Sequence, residues 1–194
     1  MSKTRSLHFN EVKKCFRTDS PPKQIIFQSG GRKFELQAGP AQFGKDLRTN
    51  SVSAKLVMAN HVRACGGSLQ NGDSMWGKIV VVERGDCMFV EKARVLQGLG
   101  AVGGIVMDNT EGTAAATSPL FAMSGDGVDD IKIPMVFLFM EEAKLLMQIM
   151  AKDQNLKVTL EELPDKEGKS RILCHATSII NHKSISQMKY LSSF

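Results

Sequence analysis

The chain has 194 residues, 42% hydrophobic and 23% charged, the balance of a soluble globular protein with one domain and extensions. Its formal net charge of +5 sits mainly at the ends, in Lys3, Arg5, Lys13, Lys14 and Arg17 and again in Lys166, Lys169, Arg171, Lys183 and Lys189. No basic stripe interleaves with aromatics, which argues against a nucleic-acid surface, and no apolar run reaches the ~20 residues that span a bilayer, so no transmembrane segment is expected.

Residues 1–22 read as a flexible leader closing on Pro21 and Pro22, with basic residues but no apolar h-region, so no secretion signal is expected in it. The alternating runs Gln24–Gln28 and Arg32–Gln37 flank Ser29-Gly30-Gly31 and predict a β-hairpin. Ala54–Asn60 reads as a short strand, and residues 61–77, rich in Gly, Asn and Asp, as loop. Gly77–Gly85 holds a continuous β-branched run, the mark of a strand buried on both faces. Phe89, Ala93, Leu96 and Gly100 then mark one face of a helix that Gly98 and Gly100 end. Residues 101–109 read as another buried strand, so this β-α-β unit implies a parallel pair.

Residues 110–132 form a loop too long to be only a connector. Rich in Ala, Ser and Gly, it is expected to add little core and to be dispensable for folding. Residues 133–139 read as a third buried strand. Residues 140–153 read as a second helix with Ala143, Leu146, Met147 and Met150 on one face. Met140 stands where a capping Ser or Thr is common, a loss of ~1 kcal/mol for a helix. Residues 155–163 alternate and close the sheet. Residues 164–194 are a basic extension with no placed element, disorder being one reading of it.

The stretch "ERGDCMFVEKA" (83–93) invites three readings: a thiolate nucleophile at a helix start, an adhesion tripeptide, or a strand-to-helix corner. A cysteine nucleophile needs a base, and none of His8, His61, His175 and His182 lies in a recognisable pairing motif with Cys87. Arg84-Gly85-Asp86 reads as turn chemistry, with Gly85 permitting the corner and Asp86 capping the next helix. Glu91 and Lys92 are placed on the solvent side. Gly103-Gly104 precedes a strand core and is no phosphate cradle. Asp126, Asp129 and Asp130 suggest calcium, but they fail the EF-hand spacing and read as a solvated loop, so no metal is expected. The four cysteines, Cys15, Cys65, Cys87 and Cys174, form no CxxC pair, do not suit zinc and allow three full pairings.

Several pieces occur together and in order: "GKIVVVERGDCMFVEKA", "GAVGGIVMDN", "GDGVDD" and "IKIPMVFLF" followed by a helix. They resemble the protease-associated (PA) domain, a module found beside proteases, sorting receptors and some glycosidases. More narrowly, "AGPAQFG", "RGDCMFVEKAR", "GGIVMDNTEG", "PLFAMSGDG" and "DDIKIPMVFLF" resemble the PA region of ER degradation-enhancing alpha-mannosidase-like proteins. The resemblance covers about residues 24–162. It implies an α/β fold over 23–163, a twisted, partly open β-sandwich or barrel flanked by two helices.

It also implies a Cys65–Cys87 bridge in an oxidising compartment, with Cys15 and Cys174 left unpaired. By the same resemblance the function is non-catalytic: protein or substrate recognition accessory to glycoprotein quality control in the ER lumen, with a protein or glycoprotein partner and no cofactor. The alternative is a fragment of an alpha-1,2-mannosidase whose catalytic domain lies outside this sequence. The expected binding surface combines the corner and the long loop, through Arg84, Asp86, Asn109, Glu111, Leu120, Phe121, Asp126 and Asp129, because functional loops sit on rigid scaffolds.

Overall fold

A computed structural model describes residues 12–17, 21–66, 69–119, 121–164 and 172–177. The chain divides into two units. One contains a two-stranded antiparallel sheet of β1 (Val12–Arg17) and β9 (Ile172–Thr177), whose register sets Cys15 across from Cys174. The side chains of both cysteines lie outside the described residues, as does the rest of the leader up to residue 20 and of the extension from residue 165.

The other unit is a closed seven-stranded barrel in the order β2-β3-β7-β6-β5-β4-β8. Its hairpin joins β2 (Lys23–Ser29) to β3 (Arg32–Pro40). Gly30 and Gly31 take φ of +57° and +75°, the left-handed pair that a tight two-residue turn requires and that only glycine adopts without strain. Phe27 faces Phe34 across the pair, with stacked rings 5.0 Å apart.

β4 (Val52–Met58), β5 (Ile79–Glu83), β6 (Gly103–Met107) and β7 (Met135–Leu138) run parallel to one another. β8 (Lys157–Glu162) pairs antiparallel with both β2 and β4 and so joins the two ends of the sheet. The β-α-β reading therefore holds, and the partly open sheet is resolved into a closed barrel.

The unbroken apolar runs of β5, β6 and β7 follow from cores on both faces. Ile79, Val81, Ile105, Met107, Val136 and Leu138 join one core with Ala143, Leu146 and Ile149 of α2 (Met140–Lys152). Val80, Val82, Val106, Met135 and Phe137 join the other with Val90, Ala93 and Leu96 of α1 (Phe89–Gly98). Each Val, Leu, Ile, Met or Phe among them contributes ~1.5–3 kcal/mol relative to exposure. Gly104 lets α1 close on the sheet, since a Cβ there would meet Met135 Sδ at 2.5 Å and Leu96 at 3.0 Å.

The loop 110–132 does add core. Met123 is fully buried and Ile131 nearly so. Met123 bridges Ala41 in parallel, its N donating to Pro40 O at 2.9 Å and its O accepting from Gln42 N at 2.9 Å. A Cβ on Gly39 would lie 2.4 Å from Phe121 O, so the loop rests directly on the end of β3. The expectation that the loop adds little core is corrected: Phe121, Met123 and Ile131 pack into the α1-side core, while Val128 stays exposed.

Candidate functional site

β5 ends in a tight corner. Gly85 and Asp86 take φ of +111° and +66°, which turns the chain sharply from the strand into α1. Cys87, just beyond them, is bonded to Cys65 with a Cα–Cα separation of 5.7 Å, within the range a disulfide needs. Closing a loop of this length stabilises by ~3 kcal/mol. In the bridge, Cys87 has no thiol to act as a nucleophile.

Two readings of the corner are corrected. Asp86 does not cap α1: its carboxylate pairs with Arg63 at 2.7 Å, and Glu91 Oε2 accepts from Met88 N at 2.8 Å. The N-cap is Met88, two residues past Asp86, and Glu91 at the third helical position reaches back as capping-box acids do. Lys92 does not face solvent. It is fully buried, and its Nζ donates to the carbonyl oxygens of Arg63 and Gly85, the latter at 2.7 Å. The ammonium thus pins the loop before β5 to the corner after it. Burial holds the Lys92 pKa below its usual value, against the raising influence of the Asp86 carboxylate.

At the end of β6, Asp108 organises the start of the long loop. The carboxylate is buried. Its Oδ1 accepts from Arg84 at 3.0 Å, Asn109 N at 3.0 Å and Thr110 N at 3.3 Å, and its Oδ2 from Thr113 Oγ1 at 2.8 Å. Burial pushes this carboxyl up, but the hydrogen bonds from Thr113, Arg84 and Thr110 together hold it below the usual carboxylate range. The Arg84 guanidinium lies 5.6 to 6.0 Å from the ring centroids of Phe89, Phe121 and Phe137, within cation–π range. Those rings pack edge to face or tilted, 4.5 to 6.1 Å apart.

Thr113 also supplies what α2 lacks locally. Its Oγ1 accepts from Met140 N and its carbonyl from Glu141 N, each at 3.1 Å, while the Glu142 carboxylate accepts from Ala115 N at 3.1 Å. The cap position is Phe139 and not Met140, which is the first helical residue; Phe139 makes no side-chain cap bond, and Thr113 replaces it from across the fold. Thr113→Val removes the cap and one bond to Asp108. It is expected to lower stability by about 1–2 kcal/mol, read by urea unfolding; a change below a few tenths would show that water serves α2 equally well.

The expected site residues separate into two groups. Arg84 and Phe121 are half-buried and in contact, Asn109 is exposed with its amide on Glu83 Oε1 at 3.2 Å, and Glu111 is exposed. Asp86 joins them at the corner. Asp126 instead pairs with Arg94 of α1 at 2.8 Å, beside a forked pair from Arg94 to Asp130 at 2.5 and 2.9 Å. Both carboxyls are held below their usual range by hydrogen bonds from Arg94. Asp129 is solvent-exposed, 3.4 Å from Lys132. Leu120 lies outside the described residues. Among the described residues no three His, Cys, Asp or Glu side chains converge for a metal.

Sequence pattern alone does not mark Lys92, Asp108, Thr113 and Arg94 as organisers. Only "MDN" after a buried run hinted at one of them, since an acid closing such a strand is well placed to bind the next turn's amides.

A family model described as PA domain matches residues 52–146. The chain is 40% identical over 168 residues to human ER degradation-enhancing alpha-mannosidase-like protein 3, covering 78% of this chain and 18% of that protein. It is 42% identical over 147 residues to the Xenopus laevis protein of the same name, covering 73% and 16%. Leucine aminopeptidase 2 of Trichophyton rubrum is 34% identical over 150 residues, covering 74% and 28%. Among solved structures, a zinc aminopeptidase from Bacillus subtilis superposes with a TM-score of 0.53 at 21% identity, covering 79% of this chain and 33% of that one. The chain thus spans a third or less of the length of each of these relatives.

Proposed function

Residues 52–146 form a PA domain, and from that premise we propose that the chain is a non-catalytic module recognising a protein or glycoprotein, accessory to glycoprotein quality control in the ER lumen. The observation that carries this reading is the 40% identity over 168 residues to an ER degradation-enhancing mannosidase-like protein, a match well beyond the PA segment itself. The fungal aminopeptidases share the module at lower identity. Its occurrence beside that second chemistry favours a recognition role over a catalytic one.

The recognition surface has two parts: the corner and loop start, at Arg84, Asp86, Asn109, Glu111 and Phe121, and a second group at Asp126 and Asp129 beside Arg94 and Lys132. The bridge, Lys92 and the Asp108 cluster hold its base rigid, so little ordering entropy opposes binding. Exposed Asp86, Glu111 and Asp129 give it an acidic rim, suited to basic side chains or to hydroxyl donors.

A second reading makes the chain part of an alpha-1,2-mannosidase, supported by the small fraction, 18%, of the human relative that it spans. The PA domain would then present substrate to a catalytic domain elsewhere.

Binding of the purified chain to three probes tests the proposal: a reduced, alkylated glycoprotein with high-mannose glycans, the same polypeptide deglycosylated, and its native form. Saturable binding to an unfolded form, weakened at least tenfold by Glu111→Lys with Asp129→Lys, supports it. Absence of binding to all three overturns it. Mannose release that disappears on a point change in this chain overturns the non-catalytic assignment.

A further inference from the structure

Lys92 is a buried cation without a matching anion. Among the described residues its Nζ has three partners, and none is a carboxylate: the carbonyls of Arg63 and Gly85, and Cys65 Sγ at 3.2 Å. An ammonium has three N–H donors, and a disulfide sulfur is a weak acceptor, so one donor is poorly used while the bridge is intact. Asp86, Glu83 and Glu91 act on Lys92 only through longer-range attraction, opposed by Arg63. The same two carbonyls flank Cys65 Sγ at 3.3 and 3.4 Å. If the bridge opens, sulfur is the one neighbour that becomes an anion, and a full charge beside the ammonium outweighs two carbonyl dipoles.

We propose that the Cys65–Cys87 bridge is a thiol-exchange site in which Cys87 takes up an external thiol and Cys65 leaves as a thiolate held by Lys92. The step balances. An external thiolate attacks Cys87 Sγ, the Cys65–Cys87 bond breaks, and its electron pair goes to Cys65 Sγ. A second external thiolate then attacks the outer sulfur of the mixed disulfide, releasing the external disulfide and leaving Cys87 reduced. The exchanging partner is a small thiol or a protein dithiol. Both sulfurs are in half-buried residues. The depression beside Cys65 is lined by Glu83, Asp86 and the Arg63 that pairs with both, two carboxylates against one guanidinium, an excess that disfavours an approaching thiolate on that side.

Charge assistance of this kind lowers a thiol pKa by about one to several units, and lower leaving-group pKa speeds exchange. Reduction by glutathione at pH 7 is therefore expected to slow about tenfold in Lys92→Met, and Lys92→Arg is expected to retain most of the rate. The full chain is treated with glutathione, quenched with acid, alkylated and mapped by peptide mass, so that Cys15 and Cys174 are read separately. The expected first adduct is on Cys87.

Lys92→Met leaves two carbonyls without their donor, so a variant that keeps Lys92 provides a second test. In Cys87→Ser the lone Cys65 is expected to alkylate with a pKa below the ordinary thiol value. A first adduct on Cys65, a Cys65 that titrates as an ordinary thiol, or equal reduction rates in wild type and Lys92→Met would each overturn the proposal. Loss of partner binding leaves these readouts unchanged, so this inference and the recognition function fail separately.

Discussion

Replacing residues 112–126 with a short Gly/Ser linker is expected to lower the thermal midpoint by about 12–24 °C, at about 2–4 °C per kcal/mol for a domain of this size. The excision removes Met123, which is fully buried; deleting such a side chain costs about 2–5 kcal/mol. It also removes Phe121 from contact with Phe89, Phe137 and Arg84, and being half-buried it counts for about 2 kcal/mol, below the usual range for a core Phe. The cap that Thr113 gives to α2 goes as well. The loss totals about 6 kcal/mol, a large part of the 5–15 kcal/mol typical of a domain. Calorimetry or circular dichroism reads the midpoint. A shift of only a few degrees would mean that the barrel and helices close without the loop and would overturn the packing role assigned to Met123 and Phe121.

The second large effect is at Asp108. Asp108→Ala is expected to destabilise by about 3 kcal/mol at neutral pH, because a half-buried arginine and several amide and hydroxyl donors lose their shared acceptor. Arg84 keeps about a third of its side chain in solvent, which holds the figure at the low end for a broken buried pair. The carboxyl is held below its usual range in the folded protein. Its contribution is therefore fully present above the unfolded value of about 3.9 and is lost as pH falls through the lower folded value.

Urea unfolding at pH 7 and at pH 3 should accordingly show wild type and Asp108→Asn converging at the lower pH. Asp126 and Asp130 shift in the same direction, so both proteins lose stability on acidification; only the difference between them reports Asp108. A difference that stays constant between the two pH values would show that the carboxylate charge has no part in the cluster.

Local pattern determined much of this protein from its sequence. The β-branched run at 77–85 required a strand covered on both faces, and the structure covers it with α1 on one side and α2 on the other. The Ser29-Gly30-Gly31 break determined the hairpin, because consecutive left-handed residues fit only such a turn. The periodicities at 89–100 and 140–153 determined both helices. The Cys65–Cys87 pairing followed from family resemblance, since four cysteines alone allow three answers.

Contacts between residues distant in sequence decided the rest. Lys92 reads as a solvent residue by its charge, and only the return of the chain at Arg63 and Cys65 surrounds it with acceptors. Thr113 belongs to a stretch of small residues, and nothing near it in sequence shows that it will cap a helix 27 residues later. Met123 reads as an isolated apolar residue in a glycine-rich loop until the end of β3 and the α1 face supply its walls. Closure of the barrel depends on β8 finding both β2 and β4, pairings that alternation within a strand permits but does not specify, because periodicity sets which face is buried and not which strand lies beside it.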